Sequence, residues 1–193
     1  MSLSTDLMQV FFHLAGDEEN QGLVEQALDN HLRGDRVYVN PDMFRKQCAL
    51  PSKDKCVAFV GLGDTTETGE LTDLDDQVIN CCLPDGANNT RDQYAVTEFV
   101  IFLKFADPCL NTSNSPEYQI KQMEIEGKLL DVLETVSDFG LPEVVIGWQL
   151  GELNRGDQLL EGGGAQGSRQ AICRIHEITL EVRTLFTRST PCR

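Results

Sequence analysis

The chain has 193 residues, 40% hydrophobic and 24% charged, which suits one folded domain with a sizeable core and excludes a disordered tail. Sixteen Lys and Arg stand against 31 Asp and Glu, a formal charge of −15 that repels phosphate backbones and anionic lipid alike. A nucleic-acid clamp and an anionic-membrane binder are thereby excluded.

In chain order, Leu7, Val10, Phe11 and Leu14 recur at i, i+3, i+4 and i+7, the apolar stripe of a short helix. Leu23, Ala27, Leu28 and Leu32 predict a second helix, with Gly34 as its stop signal. Val37, Tyr38 and Val39 form a brief β-type run ended by Asn40–Pro41, and residues 56–60 (CVAFV) form a stronger apolar strand. Residues 63–92 then hold eight acids (Asp64, Glu67, Glu70, Asp73, Asp75, Asp76, Asp85 and Asp92) against Arg91 alone. They predict a long acidic loop, with the apolar island 78–83 as one further short strand inside it. Connections of that length tend to be functional.

Residues 94–106 make the clearest strand. One face carries Ala95, Thr97, Phe99, Ile101, Leu103 and Phe105; the other carries Tyr94, Val96, Glu98, Val100, Phe102 and Lys104. Apolar character on both faces predicts a central strand covered on both sides. Ser115–Pro116–Glu117 reads as a cap with proline at the first helical position. The helix that follows has a stripe of Ile120, Met123, Gly127, Leu130, Val132, Leu133 and Val136, and Gly140 ends it. Residues 143–150 read as a strand, and 151–170 as a glycine-rich loop. Residues 172–187 alternate as a half-buried strand, with Ile178, Leu180, Val182 and Phe186 on one side and Glu177, Thr179, Glu181 and Arg183 on the other. That is far longer than the five or six residues typical of strands. The expected architecture is a single α+β domain over 1–193: a mainly antiparallel sheet, helices packed on one face, a long C-terminal strand, and loops at 63–92 and 151–170.

Reaction chemistry is absent from the pattern. His13, His31 and His176 are isolated, with no serine or cysteine elbow near them. The seven cysteines (Cys48, Cys56, Cys81, Cys82, Cys109, Cys173 and Cys192) are odd in number and contain no C-x-x-C, which predicts free thiols. Cys173 and His176 lie three apart on a strand, so they point to opposite faces and cannot chelate one ion. The glycine run 162–164 lacks the G-K-[ST] of a phosphate loop, and Asp73–Leu74–Asp75–Asp76 lacks calcium-loop spacing. Neither enzyme nor cofactor is expected. No stretch reaches the ~20 apolar residues of a membrane span, and residues 1–6 offer no basic or apolar region of an export signal, so a soluble, cytoplasmic protein is expected. What the pattern does offer is strand edge. A ribbon that long must pair its backbone either in a curved hairpin of its own or with a neighbouring subunit.

The element order, with a long strand of the YAVTEFVIFLKF kind, one amphipathic helix and a C-terminal strand of the HEITLEVRTLF kind, resembles the tail-terminator proteins of long-tailed bacteriophages. That resemblance implies a non-enzymatic ring, usually a hexamer, that caps the tail tube, ends its polymerisation and joins it to a neck or head-completion protein. It also implies a place in the virion at the tail–neck junction, with assembly in the host cytoplasm. DNA would pass through the pore without specific binding, repelled by carboxylates among Asp73, Asp75, Asp76, Glu177 and Glu181. The competing readings are another neck or tail-completion (stopper) protein, and an acidic adaptor for a basic protein partner.

Overall fold

The computed structural model describes residues 3–34, 36–46, 55–68, 89–106, 116–136, 138–160 and 171–190. The island 78–83 and residues 161–170 lie outside them.

The first apolar stripe forms as its spacing predicts. Helix α1 (Leu3–Ala15) buries Leu7, Val10 and Leu14. It stops at Gly16, whose φ of 89° suits glycine alone and whose N–H bonds to Phe12 O at 2.7 Å. The second stripe is split: α2 (Leu23–Leu28) tightens into a 3-10 turn (Asp29–His31) before the buried Leu32. Residues 37–39 form no strand. Tyr38 makes only an isolated parallel bridge to Phe59, and its neighbours run beside the sheet rather than within it. Asn40–Pro41 is not a β terminator but the start of α3 (Pro41–Lys46). Asn40 Oδ1 accepts the N–H of Asp42 at 2.9 Å, and proline takes the first helical position.

Four strands follow: β1 (Cys56–Thr68), β2 (Asn89–Ala106), β3 (Val145–Leu160) and β4 (Ala171–Thr190). They form one sheet in the order β1-β2-β4-β3, every neighbouring pair antiparallel. The fold is α+β. Both expected loops are shorter than their composition suggests. β1 continues to Thr68 and β2 begins at Asn89, so the 63–92 loop loses both ends. β3 runs through Gly151 and Gly156 to Leu160, which takes the first half of the 151–170 loop. Cross-strand bonding outweighs the weak β propensity of threonine-, acid- and glycine-rich stretches once a long partner strand is present.

Helix α4 (Pro116–Thr135) corrects the expected stripe. It buries Gln122, Ile125, Glu126, Leu129 and Leu133, while Ile120 and Met123 face solvent. Two polar residues on the inward face disguised it. The helix also ends earlier than Gly140. Phe139 (φ 52°) and Gly140 (φ 77°) form a separate left-handed turn, with the buried Phe139 ring stacked 5.7 Å from Trp148.

The main core lies between α1, α2, α4 and one face of the sheet, with Phe99, Ile101 and Leu103 of β2 and Ile178, Leu180 and Val182 of β4 at its floor. Helices are not confined to that face. At the opposite face α3 covers one end, where Phe44 stacks on Phe59 at 5.3 Å beside Val57 and Phe102. The buried Lys104 donates from Nζ to Phe44 O at 2.9 Å, with its ammonium 4.2 Å from the Phe44 ring centroid. β2 is thus central and, among the described residues, covered on both sides at this end.

Two predictions arise from the core. Leu129→Ala, at a fully buried site on α4, should cost about 2–5 kcal/mol in denaturant unfolding. Burial pushes the Cys56 thiol up to about 12, despite the nearby Lys55 charge. Alkylation mapped by mass spectrometry should therefore spare Cys56 until the protein unfolds.

Candidate functional site

The sheet is open at both sides. On β1 the segment 32–39 covers the outer edge only as far as Val60, through Arg33 N–H to Cys56 O (2.9 Å), Tyr38 N–H to Ala58 O (2.9 Å) and Val60 N–H to Tyr38 O (3.0 Å). Among the described residues no strand lies beyond 61–68 of β1, nor beyond β3. Each edge is bulged, β1 between Leu62 and Thr65, β3 between Val145 and Gly147 and again between Leu150 and Leu153. Bulges of this kind discourage indiscriminate pairing without abolishing the edge.

Register links the two edges. Leu62 pairs with Phe99, Phe99 with Leu180, and Leu180 with Leu150, so one apolar row crosses all four strands on the helix-bearing side. Its middle members are fully buried, whereas Leu62 is 52% exposed and Leu150 44%. Ile146, 58% exposed, lies on the same β3 edge. A cavity of about 370 Å³ opens there, between Leu130 and Glu134 of α4 and Ile146, Trp148 and Leu150 of β3. The row ends as if cut.

Among the described residues no helix covers the other side of the sheet away from α3, and that side carries carboxylates. Glu98 and Glu181 are Cα partners across β2 and β4, and Glu177 pairs with Phe102 and Asn154. Like charges directly opposite each other on a ladder are unfavourable. The flanking strands make room for them. A Cβ on Gly63 would stand 2.9 Å from Glu98 Cβ, and one on Gly151 would stand 3.5 Å from Glu181 Oε1. Gln149 Nε2 donates to Glu181 Oε2. Two expected site residues, Glu177 and Glu181, are therefore brought together on one open face. Asp73, Asp75 and Asp76 lie outside the described residues. Glu98 was missed because its alternation was legible but the register that sets it opposite Glu181 was not.

One expectation about the histidines is overturned. His176 is not isolated: its Nδ1 lies 2.6 Å from Glu126 Oε2, and its ring packs 4.9 Å from Phe105. Arg155, from the stretch expected to be loop, donates from Nε to Glu126 Oε2 at 3.1 Å and from Nη2 to Oε1. Burial pushes the Glu126 carboxyl up, but hydrogen bonds from His176 and Arg155, with their charges, outweigh it and hold it down at about 2. The Glu126 hydrogen bond likewise raises Arg155 above its ordinary value. The His176 and Glu126 side chains are almost wholly enclosed, so no substrate reaches them. The trio fastens α4 to β3 and β4. His31 approaches Lys128 Nζ at 2.8 Å, and His13 lies against the turn at Gly140. Among the described residues no group of three or more His, Cys, Asp or Glu is arranged to hold a metal ion, and no helix is long and apolar enough to cross a membrane.

No family model and no curated protein matches this sequence. The functional reading therefore rests on the two edges and the acidic face.

Proposed function

We propose that the protein is a structural virion component that closes into a ring by continuing its sheet from copy to copy, capping a phage tail tube at the neck. The observation that carries this reading is the single apolar row whose two exposed ends, Leu62 and Leu150, sit on opposite edges of one strictly alternating sheet. Four alternating strands leave β1 and β3 running in opposite directions. Copies related by rotation then meet β1 to β3 in the antiparallel sense, with different patches in contact, which is the condition for a closed heterologous ring.

The same arrangement turns the acidic face inward. Six copies supply about 24 strands, and at ~4.8 Å between neighbours, with the usual tilt, the ring is roughly 40–50 Å across its backbone, wide enough for duplex DNA. Glu98, Glu177 and Glu181 then line the bore, where carboxylates repel phosphates and prevent sticking. A ring face that fits the last tube subunits but not another tube ring ends polymerisation, and its other face joins the neck protein. Tails assembled with and without the protein, viewed by negative stain, test this directly. Overlong tubes are expected in its absence, and tails of normal length would overturn the reading. Mass photometry of the full chain should show a species of about six copies, alone or on tube ends.

A further inference from the structure

A second surface lies away from both sheet edges. Behind the end of α1, the turn 16–21 and the segment 36–39 enclose a groove of about 660 Å³. Its floor is apolar: Val37 packs on the core, while Phe12 is 42% exposed and Val39 48%. Its rim is acidic, with Asp17, Glu18, Glu19 and Glu25 against Arg36.

The rim is built rather than accidental. Gly16 and Gln21 form an antiparallel bridge, and Asp17 N–H bonds to Asn20 O at 2.9 Å. Asp17 Oδ1 accepts the N–H groups of Glu19 (2.8 Å) and Asn20 (2.7 Å), which hold its carboxyl below the usual range, so it stays charged. A Cβ on Gly22 would lie 2.2 Å from Gly16 N, so the backbone approaches closely there and only glycine fits. Asp17 is thus held beside an exposed phenylalanine, with Glu18, Glu19 and Glu25 on the same rim against Arg36, a surplus of negative charge that favours a cationic partner.

We infer that this groove docks a segment of a different protein that carries an apolar side chain flanked by lysines or arginines. The apolar side chain covers Phe12 and Val39, and the cations meet the rim. Electrostatic complementarity selects the partner and speeds encounter, while the apolar anchor supplies residence time. This inference stands whether or not the chain forms rings.

Fluorescence anisotropy on the full chain tests it, with a labelled peptide of alternating lysine and leucine as probe. The lysine–leucine peptide should bind. A lysine–serine peptide should bind about tenfold more weakly, and the paired variant Glu18→Lys, Glu19→Lys or the variant Phe12→Ser should weaken the lysine–leucine peptide by about tenfold as well. Equal binding of the lysine–serine peptide, or no effect of the paired reversal, would overturn the proposal. Hydrogen exchange serves where a variant melts early. Peptide should slow exchange in residues 12–25 and 36–39 of the unaltered protein. Slowing only elsewhere overturns the proposal, as does protection of that segment that rises with protein concentration without peptide, which assigns the groove to a second copy.

Discussion

Leu62→Lys and Leu150→Lys, each alone, should convert rings to folded monomers. Both side chains are about half exposed in the single chain, so a lysine there changes monomer stability by no more than ~0.5 kcal/mol. Between copies the balance reverses. Each interface of the proposed ring would press an ammonium against Ile146, Trp148 and Leu130, with Glu134 alone as a carboxylate lining that cavity, a desolvation cost of about 1–3 kcal/mol at each junction. The mixture is more telling than either variant. A Leu62→Lys copy keeps an intact β3 edge and a Leu150→Lys copy keeps an intact β1 edge, so one of each can join and then stop. Mass photometry should show monomers for each variant and heterodimers for the mixture. Rings from either variant would mean that the sheet edges are not the joint.

Much of this architecture was legible from spacing alone. The strands at 94–106 and 172–187 announce themselves by alternation, and Leu7, Val10 and Leu14 announce α1, because each has one face that must be buried. What stayed hidden depends on partners far away in sequence. Nothing near Gly151 or Gly156 says that 151–160 is strand; that follows from β4 lying beside it for its whole length. The inward face of α4 was unreadable for the same reason. Glu126 looks like a solvent residue until His176 and Arg155, from two other elements, arrive to neutralise it. Of the candidate site, Glu177 and Glu181 were visible as an acidic face, whereas the row from Leu62 to Leu150 exists only once four strands are in register.

Glu126→Ala should be the most damaging single polar substitution. Truncating it leaves His176 enclosed and Arg155 partly enclosed, both without their shared carboxylate, and removing one partner of a buried pair costs about 3–5 kcal/mol. For a chain of this size that lowers the melting temperature by roughly 10 °C. The exposed Lys121–Glu124 pair on the same helix is the control: Glu124→Gln should move stability by less than ~1 kcal/mol. The pH dependence has a definite sign. Glu126 titrates at about 2 in the folded protein and at the ordinary 4.5 when unfolded. Its contribution is therefore complete above about pH 4.5 and is lost as pH falls from there towards 2. Acid unfolding curves of Glu126→Gln should be flatter than wild type across that window. The double variant Glu126→Leu, His176→Leu should recover part of the loss seen in Glu126→Leu alone, since it removes both buried polar groups while Arg155 swings into water. Equal losses in the two would mean that the trio acts through shape rather than charge.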